Sequence, residues 1–138
     1  MDFSDVAANV LRQAQSLAQA FKSHVTVLHG IPIKSEVVDF TLGSTELPRE
    51  LTPEEIQADL VRLQRLTEPL RECVADVSLK QFYDATVANI TEEALRIGPD
   101  LIIVGSHHHN SFYNLLVGSV TNSVLSRAKC PVLVVNTY

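Results

Sequence analysis

The spacing of apolar residues along the chain alternates between helical and strand-like periods. From Ser4, a residue type favoured at helix starts, apolar residues recur every three or four positions as far as Phe21, which predicts an amphipathic helix. Residues 24–29 read HVTVLH and contain a run of three β-branched residues, which predicts a strand. Residues 30–50 show no sustained period and contain two prolines, so we expect a long functional loop, a candidate lid and a surface for partner specificity.

Two further helices carry their own start signals. Thr52 suits the N-cap position, Pro53 suits the first helical position, and Glu55 completes a capping box with Thr52. A third helix begins at Thr86 or Asn89 and is ended by a glycine–proline pair, because proline cannot continue the hydrogen-bond ladder.

Three later segments have the character of strands. Residues 77–80 alternate apolar and polar side chains, as in a half-exposed strand, whereas residues 101–104 are continuously apolar, as in a strand covered on both faces. A fourth helix is predicted at about residues 119–128, and a last apolar strand follows at residues 132–135.

The resulting order is a helix followed by a strand, repeated four times. Such alternation predicts an α/β fold, a doubly wound open parallel sheet with helices on both faces. A chain of 138 residues has the length of one domain, so we expect residues 1–138 to form a single domain. The chain opens with a helix, whereas doubly wound domains normally open with a strand.

Composition and charge exclude several classes of protein. No run of 18 apolar residues occurs, so no membrane span and no membrane partner are expected. Two cysteines are too few for a disulfide scaffold, which favours a cytoplasmic protein. The net charge of −5 disfavours non-specific binding to nucleic acid, which requires a basic surface.

The densest candidate chemistry lies in the loop after residue 104. Ligands of open α/β sheets bind beyond the carboxyl ends of the strands, and this loop begins with Gly105 and ends with Gly118 and Ser119 at a helix start. Glycine permits close approach of a ligand, and free amides at a helix start attract phosphate. The alternative is that Gly118 only ends the loop and Ser119 only caps the helix.

Three consecutive histidines, residues 107–109, lie in the same loop. Imidazoles bind transition metals, but adjacent positions in one loop rarely converge on a single ion, and neither cysteine is spaced to complete a zinc site. We therefore expect no metal site here, but a polar loop in which one histidine faces a phosphate or solvent.

Residues 100–135 resemble the universal stress protein family. The nucleotide motif of that family is G-x-x-G, nine residues and then G-[S/T], and Gly105, Gly118 and Ser119 match it without a gap. The pattern V-L-x-x-A-x-C-P-V-L-V-V follows, as in the family. Near the start, Asp2 looks like the acid at the end of the family's first strand. The resemblance therefore covers the whole chain.

The resemblance implies a nucleotide-binding protein with sheet order 3-2-1-4-5. It implies ATP as ligand, with magnesium as a candidate cation, and a stress-response signalling or regulatory role for a cytoplasmic homodimer paired through Val132–Val135. The residues it assigns to the nucleotide are Gly105, His108, Gly118 and Ser119 for the phosphates, Asp2 for the ribose or a cation, and Ile31 for the adenine.

The chain departs from the family pattern at two positions. His108 replaces the second glycine of the motif, so a side chain occupies a place where a phosphate would pass. Asp84 stands where the family often has glycine, and its carboxylate would repel a triphosphate unless a divalent cation intervened. These departures support the alternative of a nucleotide-free interaction module that acts through its dimer or loop surface.

The resemblance also bears on the start of the chain. If Asp2 ends the family's first strand, about five residues of that strand precede the given sequence. That strand is central in the order 3-2-1-4-5, so we expect the given sequence to lack the central strand of its sheet.

The sequence lacks the motifs of other nucleotide-related and phosphotransfer proteins with an α/β fold. The dinucleotide fingerprint G-x-G-x-x-G is absent, and no lysine follows the last strand as it would in a phosphotransfer receiver domain. Neither an arginine finger nor a poised base is evident, so ATP hydrolysis would at most be slow.

Overall fold

The computed structural model describes residues 1–40, 43–106 and 118–136. Its elements in chain order are α1 (Asp5–Phe21), β1 (Val25–Ile31), β2 (Lys34–Phe40), β3 (Gly43–Arg49), α2 (Pro53–Cys73), β4 (Val77–Tyr83), α3 (Val87–Arg96), β5 (Ile102–Gly105), α4 (Ser119–Arg127) and β6 (Val132–Val135). Among these helices, none is long and apolar enough to cross a membrane.

The strands form two parallel pairs and one antiparallel hairpin. β1 pairs with β4 in the register Val25↔Val77, and β5 pairs with β6 in the register Ile102↔Val132. Met1 lies along the edge of β1 that faces away from β4, since its backbone nitrogen donates to the carbonyl of Leu28. In the described parts of the chain no strand joins the two pairs, so the order 3-2-1-4-5 and the missing first strand stay predictions.

Helices cover both faces of the parallel pairs, which confirms the doubly wound α/β fold. On one face, a cluster of buried residues joins α1 and α2 to β1; it includes Leu11, Leu63, Leu70 and Val27. Leu79 packs against the same cluster, so its neighbour Lys80 faces the other side of the sheet, since successive strand residues alternate. There Lys80 forms a 3.0 Å ion pair with Glu93 of α3.

The two parallel pairs share α1. Val6 and Val10 of α1 pack against Val135 of β6, with Ile103 of β5 beside them. On the other face α3 packs against α4, where the hydroxyls of Thr91 and Ser123 lie 3.0 Å apart. α1 therefore fixes the position of β5 and β6 relative to the rest of the molecule.

The prediction of a loop over residues 30–50 is wrong. This stretch forms the antiparallel hairpin of β2 and β3, in the register Lys34↔Arg49. Its base is tied to α2 because Glu55 accepts hydrogen bonds from Arg49 at 2.7 and 2.8 Å and from Lys34 at 2.9 Å. The sequence carries no strand period here, and Pro48 is tolerated because it lies in an edge strand.

The helix starts follow the predicted signals closely. Thr52 and Glu55 form the capping box, with Pro53 at the first helical position. Of the two candidates for α3, Thr86 is the N-cap, and its hydroxyl accepts from the amide of Asn89 at 3.2 Å. Ser4 occupies the N-cap of α1 without a capping bond, because its hydroxyl donates to Asp2 instead.

Candidate functional site at the carboxyl ends of the strands

Gly105, the last residue of β5, is the point where two helix starts meet. A Cβ atom at Gly105 would lie 2.5 Å from Cγ1 of Val6, in the first turn of α1. The hydroxyl of Thr121, in the first turn of α4, donates to the carbonyl of Gly105 at 3.0 Å. Both helices therefore direct their amino ends, where unpaired amides carry partial positive charge, to the end of β5.

Gly118 and Ser119 begin α4. Gly118 is the N-cap with φ −55° and has no side chain to occupy the first amides, and no acidic residue lies in the first turn. The carbonyl of Gly118 already accepts from the amide of Asn122 at 2.8 Å, which closes the first turn. A Cβ at Gly118 meets no described atom within 4 Å. A helix start of this kind, with free amides and no acidic side chain, is a common place for an anion to bind in proteins.

Asp2 is held against the start of α1 by local hydrogen bonds. One carboxylate oxygen accepts from the amide of Ser4 at 3.2 Å and from its hydroxyl at 2.7 Å. This Asx-type turn fixes the carboxylate at the amino end of α1, where a negative charge is favoured by the helix dipole.

His29 anchors the segment before α1 to the end of β1. Its side chain is buried, with Nδ1 facing the carbonyl of Met1 and Nε2 lying 2.6 Å from the carboxylate of Asp59. Phe3 packs on the imidazole with ring centroids 4.9 Å apart, and the guanidinium of Arg62 lies 4.1 Å above the Phe3 ring. The chain on both sides of Asp2 is therefore fixed beside β1.

The sequence predicts that the adenine rests around His29 to Ile31, but it does not predict these contacts of His29. The only available signal was a titratable residue inside an apolar strand segment, and that pattern does not reveal partners 28 and 30 residues away.

Ile31 is the last residue of β1, and its side chain is only 5% exposed. It shares the face of β1 on which Val27 and His29 meet α1 and α2, and its carbonyl accepts from the amide of Ala85 at 3.3 Å. On the opposite face, the space beside Gly30 is filled by the ring of Phe82, whose Cζ lies 2.7 Å from an ideal Cβ position. A ligand at this strand end therefore meets the backbone of Ile31 more readily than its side chain.

Asp84 is turned towards α3. It adopts φ +60°, and the side-chain amide of Asn89 donates at 2.9 Å both to its carbonyl and to its carboxylate. The carboxylate is thus bound at the amino end of α3, which offsets part of its charge.

Ser106 is a residue that the sequence analysis missed. Its side chain is buried, and its hydroxyl donates to the side-chain oxygen of Asn136 at 2.8 Å, while its amide donates to the carbonyl of Val135 at 2.9 Å. These bonds join the ends of β5 and β6 and fix the direction in which the chain leaves Gly105. A serine after a glycine in a polar loop gave no signal of this pairing.

The structure brings several of the predicted residues to the same end of the molecule. Gly105, Gly118 and Ser119 converge through Thr121, and Asp2 joins them through α1. Ile31 ends β1, at the same edge of the sheet. The contact between His29 of β1 and Met1 connects this strand to the residue before Asp2. His108, with the whole triple histidine, lies outside the described residues.

Comparisons with known proteins agree on one family. The family model described as Universal stress protein family matches residues 1–136. Universal stress protein MJ0531 of Methanocaldococcus jannaschii is 30% identical over 134 residues, which cover 97% of this chain and 77% of that protein.

Solved structures share the fold. The universal stress protein from Archaeoglobus fulgidus in complex with dAMP superposes with a TM-score of 0.65 and 22% identity, covering 98% of this chain and 91% of that one. A crystal structure of a universal stress protein in complex with cAMP superposes with a TM-score of 0.66 and 22% identity, covering 100% of this chain and 93% of that one.

Proposed function

The chain belongs to the universal stress protein family, and from that premise we propose that it is a cytoplasmic stress-response regulator that binds an adenine nucleotide, ATP with Mg²⁺, at the carboxyl ends of its parallel strands. The state of this nucleotide site is the signal that the protein transmits. Catalysis is not part of this proposal.

The observation that carries the proposal is the convergence of two helix starts on Gly105. Val6 of α1 packs where a side chain would stand, and Thr121 of α4 bonds the carbonyl. The first turns of α1 and α4 thereby lie beside the end of β5. Amides at the start of a helix suit a phosphate group.

The two related structures that hold ligands point to the same chemistry. One is a complex with dAMP and the other a complex with cAMP, and both ligands consist of adenine, a five-carbon sugar and one phosphate. An adenine nucleotide is therefore the ligand class that we assign to this chain. ATP extends it by two phosphates, which the anion site at α4 would hold.

Each predicted residue has a role in this assignment. Gly105, His108, Gly118 and Ser119 contact the phosphates, the Ser119 hydroxyl as a further donor. Asp2 faces the ribose or supplies a carboxylate oxygen to Mg²⁺, a cation that prefers oxygen ligands. Ile31 closes the adenine side through its backbone.

Exchanges at Gly118 test the site with a matched pair. Gly118→Asp places a negative charge beside the proposed phosphates, whereas Gly118→Asn has the same size and no charge. Both residue types are favoured helix N-caps, and the backbone at φ −55° accepts either, so both variants should fold.

We expect Gly118→Asp to weaken ATP binding at least about tenfold more than Gly118→Asn does, because the added charge repels the phosphates at short range. Isothermal titration calorimetry measures both affinities. Equal ATP affinities of the two variants would show that the phosphates do not bind at the start of α4. Failure of the wild type to bind nucleotide would favour the nucleotide-free interaction module.

We also place the homodimer interface at Val132–Val135. Within the described chain, β6 pairs only with β5, so its second edge offers unpaired amides and carbonyls. An apolar edge strand needs a cover, and a second copy of the same strand can supply one in an isologous dimer.

A further inference from the structure

Four polar side chains form a connected cluster at the amino-terminal end of the β1–β4 pair. His24 directly precedes β1, and Asp76 directly precedes β4. Thr26 and Ser78 are opposite one another in the register of the two strands. The amide of Val25 donates to the carbonyl of Asp76 at 2.9 Å, which holds the two strand starts in place.

The distances within the cluster assign a role to each atom. Nδ1 of His24 lies 2.8 Å from the carboxylate of Asp76, and Nε2 lies 3.0 Å from the hydroxyl of Ser78. Because a carboxylate only accepts, Nδ1 of the neutral ring carries the proton, and Nε2 is then an acceptor for the serine hydroxyl. A nucleophile, a base and a carboxylate that orients the base are thus aligned.

Thr26 adds a second hydroxyl to the cluster. Its Oγ1 lies 3.1 Å from Nε2 of His24 and 3.1 Å from Oγ of Ser78. Since Nε2 accepts from one hydroxyl at a time, Thr26 can donate to Ser78 while Ser78 donates to His24. Ser78 has the shorter bond and the less hindered hydroxyl, so it is the nucleophile.

The cluster is open to solvent. The side chain of His24 is 47% exposed and that of Asp76 is 75% exposed, whereas Ser78 is half-buried beside them. The cluster lies at the end of β1 and β4 opposite to Ile31 and Tyr83, hence away from the candidate nucleotide site. Chemistry at this cluster is therefore independent of nucleotide binding.

We propose that Ser78, His24 and Asp76 form an acyl-transfer site that hydrolyses small activated carboxylic esters. The oxygen of Ser78 bonds to the acyl carbon while His24 takes the serine proton. The ester C–O bond breaks, and the proton passes from His24 to the departing alcohol. Water then attacks the acyl-serine, with His24 as base, and releases the carboxylic acid and free Ser78.

The carboxylate of Asp76 orients the ring of His24 and stabilises the imidazolium that forms in each half of the reaction. Among the contacts described for the cluster, none is a backbone amide directed at the acyl oxygen. Such a donor contributes about 100- to 1000-fold to the rate, so the substrates are esters with good leaving groups.

A fluorophosphonate probe tests the proposal on the intact chain, with the adduct located by peptide mass spectrometry. We expect an adduct on Ser78 of the wild type and none on that peptide in Ser78→Ala. His24→Gln should lower the labelling rate about a hundredfold, as loss of a general base does. Ser126 is the internal control, because its hydroxyl donates to the carbonyl of Asn122 and neither His24 nor His29, the histidines in the part of the chain that the structure describes, bonds to it.

Thermal unfolding separates a chemical from a structural role. Ser78→Ala and His24→Gln should remain folded, since His24 and Asp76 are exposed. Wild-type protein should also release a burst of nitrophenol from p-nitrophenyl acetate, with the acetyl group on Ser78. No adduct on Ser78 of folded wild type, labelling on Thr26 instead, or a rate unchanged in His24→Gln would each overturn the proposal.

Discussion

Gly105 meets two requirements, of which the first is specific to glycine. Its missing side chain leaves room for Val6 of α1, and its carbonyl is the acceptor that positions the first turn of α4 through Thr121. The site therefore depends on close packing as much as on any polar group.

Gly105→Ala tests this packing. The new Cβ would lie 2.5 Å from Cγ1 of Val6 and 3.2 Å from Cγ2 of Val10, so α1 must shift. We expect the free energy of unfolding to fall by about 1–3 kcal/mol, as in other overpacked cores. The midpoint of urea unfolding measures the change.

The double variant Val6→Ala/Gly105→Ala is the control for that interpretation. Removing the methyl groups of Val6 opens the space that the new Cβ needs. The double variant should therefore lose less unfolding free energy than the sum of the losses of the two single variants. Strict additivity would show that the cost of Gly105→Ala arises elsewhere than at Val6.

At the residue scale, the sequence reveals chemical type but not remote partners. The places of Gly105 at the end of a strand and of Ser119 at the start of a helix could be predicted, and their role at a nucleotide stays a prediction. The contacts of His29 and Ser106 could not be predicted, because their partners Asp59 and Asn136 come from distant segments and are set by packing.

Among the elements, the start of α2 organises the hairpin of β2 and β3. Glu55 completes the capping box through the amide of Thr52 and also receives Arg49 and Lys34, one from each strand. An isolated two-stranded hairpin is marginal in water, so these charge-assisted bonds at its base matter.

Acid should loosen this junction. The hydrogen bonds from Arg49 and Lys34, with that from the amide of Thr52, hold the pKa of Glu55 far below its ordinary value of 4.5. A carboxyl group whose pKa is lowered in the folded state makes its full contribution to folding stability at pH values above its pKa in the unfolded state. That contribution is lost progressively as the pH falls below about 4.5.

Glu55→Gln isolates the effect. Glutamine retains an oxygen for the capping box but cannot titrate, so the unfolding free energy of the variant should fall less steeply between about pH 5 and pH 2 than that of the wild type. Glu54→Gln, in the same turn, should keep the wild-type slope. If the unfolding free energies of wild type and Glu55→Gln changed equally with pH, the ionised Glu55 would not stabilise the fold.

The hairpin also shows where sequence patterns fail for whole elements. Helices with capping residues were predicted to within a residue or two, because their signals are local. β2 and β3 carry no alternation, and their pairing rests on register and on the ion pairs at the base. Neither feature is visible in a hydrophobic pattern.

In the whole molecule, the alternation of helices and strands was sufficient to predict the doubly wound α/β fold. β1 pairs with β4 and β5 pairs with β6 in parallel, and the members of each pair are connected through a helix, α2 or α4, as is usual for successive parallel strands. How the two pairs join is a question of sheet order, which local patterns do not encode.

Val134→Asp tests the proposed dimer. A charge in β6 should disfavour strand pairing between two copies, so the variant is expected to become monomeric or to aggregate. Light scattering after gel filtration measures the mass, and circular dichroism checks the fold. Leu125→Asp, at a 45% exposed apolar position on α4, is the control and should keep the wild-type mass. A dimeric Val134→Asp variant would place the interface elsewhere.

Binding of ATP to the wild-type chain tests the central claim most directly. Calorimetric titration with ATP, in the presence and absence of Mg²⁺, should show saturable binding of one nucleotide per chain, tighter with Mg²⁺ because Asp2 and the net charge of −5 oppose a bare triphosphate. Absence of binding at millimolar ATP with Mg²⁺ would contradict the account.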